Sequence, residues 1–388
     1  MTESELKRKF RALYGEGQVR LFSAAGRVNL IGEHVDYCGG TVLPAALDLK
    51  CTVAARLRSD GRIRLAATTT DLTAELEIGK LDSYRALKWG NYQAGVAYIL
   101  QQEGYKICGC DLLYDCTVPF GSGLSSSAAI EVATALTLAT FSAENGGKTA
   151  KKEELAVMSR RAENEYCGVA CGILDQFASA MGKKDHAVLL NCDTLKYEYV
   201  PVDLKDCVLV IANSNKPHSL VQSKYNERRA ECESAFAVLK KALPEIACLA
   251  DVTTERFETV KHLLDGKVLD RARHVVEECA RVKAAVKAMK AGDIAKLGRL
   301  MNESHYSLRD LYEVTGRELD ALTDAARSFE GCLGSRMTGG GFGGSAVSLV
   351  EKDKTAAFEN YVCEKYEAAV GYRPTFYETR ISDGIEVR

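Results

Sequence analysis

Features that would point to a membrane, an export pathway or a nucleic acid are missing from this sequence of 388 residues. No run of about 18 apolar residues occurs, so the sequence predicts no membrane-spanning helix. Residues 1–14 alternate charges and lack the apolar core of a secretory signal. Lysine and arginine (51) nearly balance aspartate and glutamate (53), so no basic excess indicates a nucleic-acid partner. We therefore expect a cytoplasmic protein that acts on small molecules, with neither a membrane nor a nucleic acid as partner.

The sequence also lacks the paired spacings with which cysteines form a zinc site. Its 14 cysteines are scattered, and the closest spacings are Cys108/Cys110 and Cys167/Cys171. Neither pair has a second group of cysteines or histidines to complete four ligands, so we expect no structural zinc. Others, such as Cys207, lie in apolar segments, where a free thiol behaves as a small hydrophobic side chain. A reducing compartment fits these thiols.

Length and apolar patterning predict two domains of mixed helices and strands. A chain of 388 residues exceeds one ordinary hydrophobic core. The strands predicted from β-type patterns are 19–23, 51–58, 62–69, 74–78, 111–118, 207–213, 345–350 and 375–380. The helices predicted from helical spacing are 91–102, 124–141, 153–167, 225–242, 268–291, 294–307, 316–329 and 355–370. We expect an α+β fold, with one domain in residues 1–200 and the other in residues 201–388.

A glycine- and serine-rich loop, residues 118–129 (VPFGSGLSSSAA), follows a predicted strand and opens a predicted helix. Glycines allow a ligand to approach the backbone, and amides at a helix N-terminus attract anions. The loop lacks the G-K-[ST] ending of a Walker A motif and the third glycine of a dinucleotide fingerprint. The alternative is a tight turn in which Ser125 or Ser126 caps the helix. Three consecutive serines beside two glycines favour phosphate binding.

A second motif, residues 26–37 (GRVNLIGEHVDY), places Glu33, His34 and Asp36 within four positions. Carboxylates that accept from neighbouring hydroxyls hold a sugar well, because such hydrogen bonds are charge-assisted. Taken alone, these residues favour a solvated charged turn.

A third motif surrounds Asp175 with apolar residues, in the run 172–181 (GILDQFASAM). Apolar surroundings suit a general base, because they raise the proton affinity of a carboxylate. The alternative is that Asp175 caps the helix that starts there, or forms a structural pair with Arg27. A fourth, weaker motif at residues 337–344 (MTGGGFGG) is either a second backbone wrap near phosphates or a tight turn.

With these motifs the chain resembles the galactokinases, a family of the GHMP superfamily of small-molecule kinases. Residues 26–44 closely resemble the galactokinase signature, and residues 119–129 and 338–344 are similar to two motifs of the whole superfamily. The match runs in order from about residue 10 to the end of the sequence. The resemblance implies a two-domain fold that binds ATP and a sugar in the cleft between the domains.

The resemblance also implies roles for individual residues. Asp175 would take the proton from the C1 hydroxyl of D-galactose, and Arg27 would stabilise the negative charge that develops there. A magnesium ion would be coordinated by Ser127 and Glu163. The sugar would be held by Glu33, His34, Asp36, the backbone at Gly172, Asp175 and Tyr225. The nucleotide would be held by the phosphate loop and by the only tryptophan, that is by Gly121, Ser122, Gly123, Leu124, Ser125, Ser126, Ser127 and Trp89. Trp89 equally suits a plain core position.

The resemblance therefore predicts an enzyme that phosphorylates galactose at C1 with ATP and Mg²⁺. One alternative is a related kinase for another sugar with an axial C4 hydroxyl, such as N-acetylgalactosamine or arabinose. Another is a galactokinase-like sensor that binds ATP and sugar without turnover. Such sensors can lack a Ser-Ala pair in the phosphate loop, and Ser127-Ala128 is present here. A dehydrogenase is excluded by the context of the glycine loop.

Overall fold

The structure is a computed structural model that describes residues 1–216, 221–377 and 379–388. Within these residues the chain forms thirteen strands and eleven α-helices. The strands are β1 (Arg20–Asn29), β2 (Thr41–Val42), β3 (Pro44–Leu57), β4 (Arg62–Ala67), β5 (Thr70–Glu77), β6 (Cys110–Cys116), β7 (His186–Asn191), β8 (Tyr197–Pro201), β9 (Cys207–Asn213), β10 (Cys332–Thr338), β11 (Ser345–Glu351), β12 (Thr375–Tyr377) and β13 (Glu386–Val387). The helices are α1 (Glu3–Tyr14), α2 (Asn91–Gln102), α3 (Ser126–Glu144), α4 (Lys152–Arg161), α5 (Leu174–Met181), α6 (Val221–Ala242), α7 (Thr254–Val260), α8 (Gly266–Ala291), α9 (Ile294–Asp310), α10 (Gly316–Arg327) and α11 (Thr355–Val370).

The larger sheet is built mainly from the early part of the chain. Its six strands have the order β13-β1-β3-β6-β4-β5, and all neighbours are antiparallel except β4 and β6. β13 returns to pair with β1, and Phe22 lies opposite Val387. The buried side of this sheet carries α3 and α5, both of which pack on β1 and β3. β1 is buried along nearly its whole length, which makes it a rigid support for the side chains at its end.

Helix α3 passes a length and composition test for a membrane span, yet 72% of its apolar 18-residue window is buried inside the protein. Among the described residues it is the only helix that passes the test. A helix that is apolar on all sides suits the core of a large protein equally well. Here α3 packs against α2, α4 and the large sheet, as a core helix does.

A second sheet and most of the long helices come from the later part of the chain. The sheet has the order β10-β11-β9-β12 and is antiparallel throughout. α9 and α10 pack on β10, and α8 packs between α6 and α9. A third, smaller sheet joins β2, β7 and β8. The mixture of helices with largely antiparallel sheets confirms the predicted α+β class, and the division near residue 200 stays a prediction.

Most predicted elements are present, and the exceptions have local causes. α2 and α11 have the predicted bounds. Gly371, with a positive φ of 98°, is the C-cap that ends α11 after Val370. The single helix predicted at 153–167 is wrong in one respect, because α4 ends at Arg161 and a π-helical turn follows at Ala162–Tyr166. Such turns are common at functional sites. The strand predicted at 375–380 is present over Thr375–Tyr377 as β12. Residue 378 lies outside the described residues, and residues 379 and 380 are not in a strand.

Candidate active site

A cavity of about 340 Å³ lies where β1 and the segment after it meet α5, α6 and the loop after β10. It brings together eight residues that the sequence analysis selected from four separate segments. These are Arg27, Glu33, His34, Asp36, Glu163, Gly172, Asp175 and Tyr225. Residues from the early part of the chain and from the part after residue 200 both line the cavity. The cavity therefore has the position of a cleft between these two parts.

Arg27 and Asp175 form a two-point ion pair on the wall of this cavity. Arg27 Nε donates to Asp175 Oδ1 and Arg27 Nη2 donates to Oδ2, both at 2.7 Å. The Arg27 side chain is 5% exposed, whereas that of Asp175 is 32% exposed and faces the cavity. The Ser125 hydroxyl also donates to Asp175 Oδ2, and Arg27 Nη1 donates to the carbonyl of Gly123. The pair therefore joins the wall of this cavity to the glycine–serine loop.

These contacts correct two expectations about Asp175. The N-cap of α5 is Ile173, and no side-chain cap bond is present, so Asp175 does not cap the helix. Its carboxylate is also not isolated among apolar side chains, because Arg27 and Ser125 donate to it. The apolar neighbours in sequence turn into the core with α5, while β1 supplies the charged partner from 148 residues away.

Glu33 is buried, with 3% of its surface exposed, and is held by donors from the later part of the chain. Its Oε1 accepts from the Gly339 amide at 2.7 Å, and Oε2 lies 3.2 Å from Arg336 Nη2. The side-chain amide of Asn29 also donates to Oε2. Burial raises the pKa of Glu33, and Arg336 opposes that shift.

His34 is buried and neutral, and its two ring nitrogens have different roles. Nε2 lies 3.2 Å from the carbonyl of Gly340, which can only accept, so Nε2 carries the proton. Nδ1 then accepts from the Tyr37 hydroxyl at 2.8 Å, and Tyr37 is linked to Tyr312 by a further 2.8 Å hydrogen bond. Burial lowers the pKa of His34 to about 3, which keeps the ring uncharged near neutral pH.

Asp36, Gly172 and Tyr225 form the opposite side of the cavity. A Cβ atom on Gly172 would collide with the carboxylate of Asp36, so only glycine permits this approach. Burial, and then the nearby charge of Asp175, raises the pKa of Asp36 to about 6. The ring of Tyr225 lies 5.5 Å from that of His34, between centroids, and closes the cavity from α6.

The backbone of the glycine–serine loop contradicts the capping alternative. Gly121 and Gly123 have positive φ angles of 68° and 77°. Ser125 is the N-cap of α3, but its φ is 60° and its side chain makes no capping bond. The hydroxyl donates to Asp175 instead, so the serine-cap prediction is wrong. The first amides of α3 have no partner within the helix and lie beside Asp175, where they can bind an anion.

The fourth motif packs directly against this loop. The Ser345 hydroxyl donates to the carbonyl of Ser122 at 2.6 Å. A Cβ atom on Gly339 would lie 2.8 Å from the carbonyl oxygen of Gly123, and Gly339 has a φ of 86°. The glycine-rich turn at residues 338–344 therefore packs against the glycine–serine loop. It also provides the Gly339 amide that donates to Glu33.

The Ser127 side chain, at the start of α3, lies near the Glu163 carboxylate of the π-helical turn, and that carboxylate accepts from Gln176 Nε2 at 2.6 Å. Burial, and then the charge of Asp175, raises the pKa of Glu163 to about 7. A hydroxyl and a carboxylate beside a phosphate-binding loop fit Mg²⁺, which takes one or two carboxylates and completes its shell with phosphates and water. The described residues contain no group of three or more acidic, histidine or cysteine side chains that would form an all-protein metal site.

Trp89 does not line the 340 Å³ cavity and lies instead in a neighbouring cavity of about 310 Å³. Thr70, Tyr114, Phe120 and Ile130 also line this space. Phe120 immediately precedes the glycine–serine loop and is 64% exposed, which is unusual for a phenylalanine. The second cavity therefore offers a mostly apolar surface at one end of that loop.

Asn29 and Arg336 both contact the Glu33 carboxylate, and the sequence predicts a role for neither. Asn29 lies inside the first motif and carried a usable signal, because its neighbours Arg27 and Glu33 were both selected. Arg336 lies in β10, where a short strand with two glycine-rich flanks gives no local sign that an arginine is fully buried.

Comparisons with known proteins agree with this geometry. Residues 8–57 match the family model of the galactokinase galactose-binding signature. Residues 91–183 match the model of the GHMP kinases N terminal domain, and residues 285–368 match that of the GHMP kinases C terminal domain. The galactokinase of Clostridium tetani is 46% identical over 99% of this chain and 97% of its own length. That of Streptococcus thermophilus is 43% identical over the full length of both chains.

Solved structures give the same result. A crystal structure of Lactococcus lactis galactokinase complexed with galactose has a TM-score of 0.94 and 41% identity, and 99% of each chain is covered. A mevalonate kinase has a TM-score of 0.67 at 18% identity, covering 94% of this chain and 99% of its own, which shows a shared fold alone. The fold is thus the two-domain GHMP-kinase fold with the site in its cleft, and the chain belongs to the galactokinase family.

Proposed function

We propose that this protein transfers the γ-phosphoryl group of ATP to the C1 hydroxyl of D-galactose, giving galactose 1-phosphate and ADP. One observation carries the proposal: the Arg27–Asp175 pair faces the sugar cavity within hydrogen-bond reach of the loop that starts α3. This arrangement supports activation of the acceptor next to the bound phosphates. Phosphoryl transfer depends mainly on such positioning and on neutralising charge.

Asp175 accepts the proton of the C1 hydroxyl while that oxygen forms its bond to the γ-phosphorus. The bond between the γ-phosphorus and the bridging oxygen breaks, and ADP leaves with the bonding electrons. Arg27 stabilises the charge that develops on the sugar oxygen, because its guanidinium is buried and fixed by three acceptors. The partly exposed Asp175 is the member of the pair that can reach the sugar.

The sugar hydroxyls are bound by Glu33, His34, Asp36, the backbone at Gly172, and Tyr225, all of which line the cavity. Carboxylates that accept from hydroxyls reject an epimer whose hydroxyl points elsewhere, since the buried acceptor would be left without a donor. The carboxylates of the buried Glu33 and the partly buried Asp36 give this site its selectivity.

ATP binds with its phosphates on residues 121–127 and its base in the cavity beside Trp89 and Phe120. Ser127 and Glu163 would hold a magnesium ion, which would neutralise charge on the phosphates. The free thiols of the described cysteines support a cytoplasmic location.

A coupled ADP-release assay tests the function across galactose, glucose, N-acetylgalactosamine, arabinose and mevalonate, with Mg²⁺ present. Galactose should give the highest kcat/KM, and glucose, its C4 epimer, should be lower by orders of magnitude. Equal rates with galactose and glucose would contradict the proposal. Binding of galactose and ATP without ADP release would instead identify a sensor.

A further inference from the structure

Residues 32–36, which contain Glu33, His34 and Asp36, are called the sugar-binding segment below. Five residues link this segment to α8, α9 and β10 through buried polar contacts. The Gly32 amide donates to Glu278 Oε1 at 2.9 Å, and the Ser304 hydroxyl donates to the same oxygen at 2.6 Å. Arg336 Nε donates to Ser304 Oγ at 3.2 Å, and Arg336 Nη2 lies 3.2 Å from Glu33 Oε2. Because Gly32 and Glu33 are consecutive, these contacts close on themselves. We call this set of five residues the Glu278 ring.

Glu278 is charged although it is fully buried. Burial acts to raise its pKa, but neighbouring positive charge, chiefly that of Arg281, outweighs burial and lowers the pKa of Glu278 to about 2. Its second oxygen accepts from Arg281 Nε at 2.7 Å. Each carboxylate oxygen of Glu278 therefore has a donor, and one of these donors is the backbone of the sugar-binding segment.

A second contact from the same face of α8 holds the next backbone group. His274 precedes Glu278 by one helical turn, so both side chains project from one side of the helix. His274 Nε2 donates to the Glu33 carbonyl at 3.1 Å, and Nδ1 accepts from the Ser307 hydroxyl at 2.8 Å. Burial lowers the pKa of His274 to about 4, so the neutral ring that this pattern requires is present near pH 7.

The backbone held in this way is in an unfavourable conformation. Gly32 has a φ of 102° and His34 a φ of 59°, in the left-handed region. A histidine in that region costs free energy and persists only where the surroundings fix it. Glu278 and His274 of α8 supply that constraint, because their hydrogen bonds hold the Gly32 amide and the Glu33 carbonyl immediately before His34.

We propose that Glu278 is a positioning residue for galactose binding. It does not line the cavity, and it acts by holding the Gly32 amide, so that the Glu33 carboxylate and the His34 ring point at the sugar. The inference rests on the proposed roles of Glu33 and His34 as sugar-binding residues. It assigns sugar affinity to a charge that the substrate never touches.

The test compares Glu278→Gln and Ser304→Ala with a matched control, Glu277→Gln. Glu277 is adjacent on α8, is 40% exposed and contacts Arg281 at 3.4 Å, but makes no contact with the ring. Galactose Kd is measured by calorimetry without nucleotide, and KM for both substrates and kcat are measured by ADP release. Glu278→Gln should raise the galactose Kd by about tenfold or more, because an amide cannot accept from all the donors around it. Ser304→Ala should raise it by a smaller factor, and Glu277→Gln should not change it.

The ATP KM should stay at the wild-type value in all three variants, and kcat at saturating galactose should change far less than the galactose Kd. Galactose affinity at the wild-type value in folded Glu278→Gln and Ser304→Ala would overturn the inference. An equal loss of affinity for ATP and galactose would also overturn it, since that pattern indicates general destabilisation. If Glu278→Gln does not fold, Ser304→Ala decides, because it keeps the charge and removes one hydroxyl. Glu33→Gln separates the two proposals: unchanged galactose affinity there would refute the sugar site itself.

Discussion

Replacing Asp175 by asparagine removes the proposed base with little change in shape. In the wild-type protein the carboxylate accepts from Arg27 Nε, Arg27 Nη2 and Ser125 Oγ. The asparagine oxygen can keep one or two of these donors, whereas its amide group would face a donor in place of an acceptor. The variant therefore loses the negative charge, the basicity and part of the hold on Arg27.

Two measured quantities should respond by different amounts. Turnover should fall by about 10² to 10⁴, the usual contribution of a positioned general base. The free energy of unfolding should fall by about 1–3 kcal/mol, because the buried Arg27 loses an acceptor while Asp175 is partly exposed. From the sequence alone, unchanged or higher stability is expected for a poorly solvated base, and lower stability for a structural pair with Arg27. The ion pair in the structure favours the loss of stability.

Asp111→Asn is a matched control for the structural part of the effect. Asp111 is fully buried in β6 and pairs with Arg56, Arg58 and Arg64, away from the cavity. It should lose stability but keep turnover per folded molecule. ADP release at saturating galactose and MgATP, corrected for the folded fraction from a thermal melt, measures both variants. Turnover of Asp175→Asn within about tenfold of wild type would refute the base role.

Three further variants address the rest of the site. Ser127→Ala should raise the KM for MgATP and leave galactose affinity, measured by calorimetry without nucleotide, at its wild-type value. Gly172→Ala should weaken galactose binding by displacing the Asp36 carboxylate, with little effect on ATP, in steady-state kinetics. Galactose affinity should fall as the pH drops below about 6, because the raised pKa of Asp36 then leaves a neutral, weaker acceptor. Calorimetry at pH values on both sides of 6 measures the galactose affinity. The affinity of Asp36→Asn should depend less on pH.

Each of these predictions has an outcome that contradicts it. An unchanged KM for MgATP in Ser127→Ala would remove that hydroxyl from the nucleotide site. Gly79→Ala is the control for Gly172→Ala, because a Cβ atom there meets nothing within 4 Å, and equal effects of the two would contradict the collision with Asp36. Galactose affinity that is constant on both sides of pH 6 would show that Asp36 does not bind sugar as a carboxylate.

Local patterns predicted the helices and the motif residues well. Asn91–Gln102 and Thr355–Val370 were predictable because their apolar spacing is regular and a glycine follows the second. The π-helical turn at Ala162–Tyr166 was not predictable, because a single wider turn keeps nearly the same apolar spacing. That turn nevertheless carries Glu163 towards Ser127.

Contacts between distant segments could not be predicted from local patterns. The run around Asp175 is apolar, and local patterns leave the pair with Arg27, which lies in β1 148 residues away, as only one of several alternatives. His274 and Glu278 resemble ordinary charged positions on a long helix, yet both are fully buried against the sugar-binding segment. Tertiary packing decides their role, and no motif marks them.

The link between Gly32 and Glu278 spans 246 residues, and this separation has a consequence during synthesis. At the usual rates of translation, α8 leaves the ribosome roughly 12–50 s after the sugar-binding segment. Throughout that interval the nascent segment lacks the anchors that hold its left-handed backbone, so it cannot bind galactose. Galactose should therefore protect the completed chain from proteolysis, but not a nascent chain that is stalled before α8.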